Sequence, residues 1–120
     1  MLTLPIKRIW YDMIAAGEKK EEYRPLTPYY DSRFTNAPRF MDDGKYQFYV
    51  VLRNGYRRDS RAMVIACWID IGEGKPEWGA DIGKEYFRLH ITWKCLIDAE
   101  KSALTEEEII RAIQGGRREG

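Results

Sequence analysis

Over residues 86–95 apolar and polar side chains alternate, with Phe87, Leu89, Ile91, Trp93 and Cys95 on one parity, continued by Ile97, and Tyr86, Arg88, His90, Thr92 and Lys94 on the other. Successive side chains of an extended chain point to opposite faces, so the pattern predicts a long strand, half buried and half wet. A helix would spread the same residues around its circumference. Such a strand needs neighbours. Residues 46–53 (YQFYVVLR) read as a second strand, and 63–71 (MVIACWIDI), apolar on both faces, as a central one. Asn54-Gly55 is a strong turn signal, so these two are expected to pair.

Helices are expected at both ends. Residues 1–4 form a short apolar strand, and Pro5 stands where proline opens a helix. Ile6, Ile9, Trp10, Met13 and Ile14 recur at helical spacing, which predicts a helix over 5–16 with Lys7, Arg8, Tyr11 and Asp12 on its wet side. Gly17 suits its left-handed cap. Residues 19–24 alternate and stop at Pro25, as a short strand would. The turn formers of 25–44 predict a long loop, ordered by Tyr29, Tyr30, Phe34, Phe40 and Met41. Residues 72–83 read as a glycine-rich connection. Thr105 and Glu108 form a capping box ahead of Ile109, Ile110 and Ile113, so a last helix is expected, ended by Gly115-Gly116 with 117–120 frayed.

The 120 residues suit one domain with a real core, and the 44% hydrophobic content excludes a disordered chain. Net charge is +1, but it is unevenly placed: residues 1–61 carry 12 basic and 8 acidic side chains, residues 62–120 carry 8 and 11. An anionic partner is therefore expected at the first half. No basic leader with a long apolar run opens the chain, and no apolar stretch reaches membrane-spanning length, so the expected location is cytoplasmic, without membrane contact. Cys67 and Cys95 are 28 positions apart with no CxxC pair, and His90 is the only imidazole. Two reduced thiols are expected, with no disulfide, metal or other cofactor.

Two polar clusters invite chemistry. In the first, Lys19 leaves the turn after Gly17, while Glu22 and Arg24 are two apart on a strand and so share a face. A carboxylate between two cations stays ionised, suited to orienting the lysine or accepting a substrate N–H. The second surrounds the turn: Arg53, Asn54, Tyr56, Arg57, Arg58 and Arg61, with guanidinium groups for phosphates and a ring for stacking. His90 falls on the polar face of its strand and reads as a surface residue.

Gly17-x-Lys19-x-x-Glu22-x-Arg24, set between a helix and a strand, resembles the signature of the ASCH domains, a branch of the PUA-like superfamily. Leu52-Arg53-Asn54-Gly55-Tyr56 and Tyr86-Phe87 are also similar to small bacterial and phage-type members, so the resemblance spans most of 1–98. It implies an α+β fold: a small β-barrel of five to six strands with a helix after the first strand and a C-terminal helix. It also implies a cleft between barrel and first helix into which Lys19, Glu22 and Arg24 project, with RNA or a nucleotide-like ligand as partner. The alternative it implies is a small hydrolase, a ribonuclease or an amidohydrolase of modified nucleosides, with Lys19 and Glu22 catalytic. One amidohydrolase-like branch uses a lysine and a threonine three residues apart. This chain keeps Lys19 but has Glu22 at the second place, so no hydroxyl stands there.

Overall fold

The computed structural model describes residues 2–55, 61–97 and 106–117. Its elements run β1 (Leu2–Ile6), α1 (Arg8–Ala15), β2 (Glu21–Arg24), α2 (Pro28–Thr35), β3 (Phe40–Asp42), β4 (Lys45–Asn54), β5 (Ala62–Glu73), a 3-10 turn (Pro76–Trp78), β6 (Glu85–Ile97) and α3 (Glu106–Arg117). The strands form one six-stranded mixed sheet in the order β1-β4-β5-β6-β2, with β3 as a hairpin partner of β4. It curls into a half-barrel, an α+β architecture compatible with a small barrel-like fold. β1 is parallel to β4, while the neighbouring pairs β4–β5, β5–β6 and β6–β2 are antiparallel.

The expected pairing of the strands flanking Asn54-Gly55 is present, with Phe48 opposite Cys67 and Arg53 opposite Ala62. Several expectations are corrected. Pro5 continues β1 instead of opening the helix, which an edge strand tolerates because one side of its backbone needs no donor. The helix therefore starts at Arg8, and its buried face is carried by Tyr11 and Ile14, with Ile9 exposed. Tyr11, assigned to the wet side, donates a hydrogen bond from its hydroxyl to the Ala62 carbonyl at 3.1 Å. Residues 25–44 are not a long loop but hold α2 and β3. Thr27 caps α2 by accepting from the Tyr30 N–H at 3.3 Å, Pro28 takes the first turn, and Phe34 plugs into the core. Gly115-Gly116 does not end the last helix, which runs to Arg117. The expected cap at Thr105 lies outside the described residues. Gly17 does cap α1, with φ of 81°.

The long alternating strand holds one departure that organises the molecule. Ile91 pairs with Cys67 and Trp93 with Ala66, so Thr92 is an unpaired extra residue, a β-bulge. One added residue reverses the parity of all that follows. Phe87, Leu89 and Ile91 pack on the interior core with Leu4, Ile14, Phe48 and Ile65. Trp93 and Ile97 instead pack with Val51, Val64 and Ile109 under α3, on the sheet's other face. The Thr92 hydroxyl fastens the bulge, lying within hydrogen-bond reach of the Ala66 carbonyl, at 3.2 Å, and of the Gln47 side-chain oxygen.

On the outer face, β6 polar residues form ladders across three strands. His90 lies opposite Trp68 and Glu21, and Arg88 opposite Asp70 and Tyr23. The His90 and Trp68 rings stack at 3.7 Å, and Arg88 grips Asp70 with two 2.8 Å hydrogen bonds. His90 is thus part of a half-buried network rather than a free surface residue. Among the described residues no helix is long and apolar enough to cross a membrane, no His/Cys/Asp/Glu group could hold a metal ion, and Cys67 and Cys95 are free thiols.

Candidate functional site

Strand parity puts Glu22 and Arg24 on the inner face of β2, and the Gly17 turn swings Lys19 beneath them. All three are buried, at 5%, 8% and 2% exposure. The Glu22 carboxylate takes Lys19 Nζ at 3.3 Å on one oxygen and Arg24 Nη2 at 2.7 Å on the other. Lys19 also donates to the Trp78 carbonyl at 2.6 Å and lies 4.8 Å from the Tyr23 ring and 5.2 Å from that of Trp10. Burial lowers the Lys19 pKa from its ordinary value, and the Glu22 charge opposes that shift.

Arg24 bridges the two edges of the sheet. From β2 its Nη2 donates to the Pro5 carbonyl on β1 at 2.7 Å, and its Nη1 reaches the Tyr30 hydroxyl at 3.4 Å. Its buried Nε has no hydrogen-bond partner among the described residues. Such a donor is costly unless an acceptor reaches it. The cluster also carries two cations against one carboxylate.

Glu22 and Arg24 face a cavity of about 710 Å³, within the range that holds small ligands. It opens where β1 and β2 fail to pair. Pro5, Ile6 and Trp10 form an apolar side, Tyr30 of α2 another, Lys7 and Arg8 are cations on its wall, and Asn54-Gly55 lies at one end. Lys19 does not line it; it faces a smaller hollow of about 270 Å³ with Lys20, Thr92 and Lys94. Arg53 is half-buried in β4 opposite Pro5. Tyr56, Arg57 and Arg58 lie outside the described residues.

The structure thus brings together Lys19, Glu22 and Arg24, and places Asn54, of the second expected cluster, at the same cavity as Glu22 and Arg24. Sequence reasoning missed Trp10 and Tyr30: the first was placed on a buried stripe, the second in a loop. A Thr-Pro pair four residues beyond Tyr23, followed by Asp31, was the available signal for the helix carrying Tyr30. The loop bearing Trp78 packs on Lys19 and Trp10. A Cβ at Gly79, whose φ is 102°, would meet the Trp10 ring at 2.9 Å, so glycine allows this approach. No protein-family model, no curated protein and no solved structure matches the chain.

Proposed function

We propose that the chain is a binding module for RNA or a nucleotide-like ligand, the role implied by its resemblance to the ASCH domains, with the cavity beside Glu22 and Arg24 as the ligand site. The observation that supports this most is the net-cationic buried cluster whose Arg24 retains an unpaired donor beside an aromatic-walled cavity. Trp10 and Tyr30 offer surfaces on which a base stacks, Lys7 and Arg8 offer charge to a phosphate, and Arg24 offers a donor to an acceptor-rich group. Glu22 has both oxygens engaged by its own cations. Its role is to hold Lys19 and Arg24 rather than to read a base edge.

A hydrolase would need the Lys19 amine at the substrate. That amine is tied to Trp78 and Glu22 and turned away from the larger cavity, which favours binding over turnover. The test is titration of nucleoside monophosphates and short RNAs at several salt concentrations, with product analysis. Lys7→Gln and Arg8→Gln are expected to weaken binding and to lower the salt slope by about one unit per lost phosphate contact. Trp10→Leu is expected to weaken it about tenfold. Salt-independent binding, or none, overturns the reading, and turnover lost in Lys19→Ala would establish the hydrolase instead.

A further inference from the structure

Among the described residues β1 pairs only with β4, so its other edge carries no neighbouring strand, and α2 lies beside that edge. The cavity described above occupies the Pro5–Ile6 end. A second cavity, of about 550 Å³, occupies the Leu2 end, lined by Tyr29, Ser32, Arg33 and Asn36 of the α2 segment. Consecutive tyrosines of α2 therefore serve one cavity each, Tyr29 the second and Tyr30 the first, with ring centroids 5.0 Å apart. Arg33 stands over the Tyr29 ring at 4.4 Å, so a stacking surface and a cation come as a unit, and Tyr29 is 56% exposed.

The charge of this edge is one-sided. Lys7, Arg8, Arg24 and Arg33 line the two cavities, and among the described lining residues the sole carboxylate is Glu22, already bound to Lys19 and Arg24. Leu2 and Pro5 are about 10 Å apart at ordinary strand rise. A stacked strand advances about 3.4 Å per nucleotide and an extended one more, so this length suits about two to three nucleotides.

We propose that the Tyr29–Arg33 cavity is a second nucleotide subsite, taking the next nucleotide of a single-stranded RNA whose first base lies against Trp10 and Tyr30. This rests on the nucleotide reading of the first cavity and names its ligand class, an extended single strand rather than a free mononucleotide. Affinities of a mixed-sequence RNA hexamer and of the four nucleoside monophosphates decide it. The hexamer is expected to bind at least tenfold tighter than any monophosphate. Tyr29→Ala with Arg33→Gln, both on the exposed side of α2, is expected to remove that advantage and leave monophosphate binding unchanged, whereas Trp10→Leu weakens both. If monophosphates bind but the hexamer binds no tighter, or the double variant keeps the advantage, the second subsite is wrong and the nucleotide reading stands. If neither binds, both fail. Binding of a polyglutamate peptide that depends on Tyr29 and Arg33, without hexamer binding, would assign the edge to an acidic peptide.

Discussion

Glu22 is the residue on which the buried charges depend. Its carboxylate is the acidic partner of both Lys19 and Arg24, and none of the three is well solvated. Glu22→Ala would leave two buried cations facing each other, and we expect a loss of about 3–5 kcal/mol in urea unfolding. Asp70 makes a separate, outer-face case. The two hydrogen bonds from Arg88 hold its carboxyl below the ordinary carboxylate range, against the opposing effect of burial, with His90 assisting. A lowered folded-state pKa contributes stability above the unfolded value of about 4, and that contribution is lost as pH falls through the folded value. Urea midpoints measured from pH 7 to acid should therefore fall less steeply below about pH 4 in Asp70→Asn. Lys19, Glu22 and Arg24 were legible in the sequence because strand parity and a glycine turn decide where such side chains point. Trp10 and Tyr30 were not, since an aromatic on an amphipathic pattern reads equally as core and as cavity wall.

Among the elements, β6 shows both the strength and the limit of pattern reading. Its period of two is visible from Tyr86 to Cys95, but the bulge at Thr92 leaves no mark in that alternation, because the apolar parity continues while the faces exchange. One row of side chains thereby serves two cores. The segment before β4 was misread for another reason: α2 is short and weakly amphipathic, stabilised by its cap and the Phe34 anchor rather than by a repeating stripe. The outer ladder depends on a glycine in β5. A Cβ at Gly72 would come within 2.6 Å of the Arg88 guanidinium carbon, so Gly72→Ala must shift that guanidinium and is expected to weaken its hold on Asp70. Its stability cost is expected to shrink when Asp70→Asn is already present, and a double-mutant cycle measures that coupling.

At the scale of the molecule, the curled sheet has, among the described residues, unpaired edges at β1 and β2, tied across the gap by Arg24 to the Pro5 carbonyl. Backbone ladders hold the rest of the sheet, so amide exchange is expected to be fastest among the strands at β1 and β2 and to slow there when a nucleotide binds. Exchange followed with and without ligand tests this, and uniform protection across the sheet would count against it. The regional charge expected from the sequence fits this geometry: Lys7, Arg8, Arg24 and Arg33 all come from the basic first half. The unclosed edge also sets durability against use. Substitutions that drew β1 and β2 into a complete ring would add sheet hydrogen bonds while filling the space between Pro5 and Arg24. Selection for heat resistance alone would then drift toward a sturdier protein in which that cavity is filled.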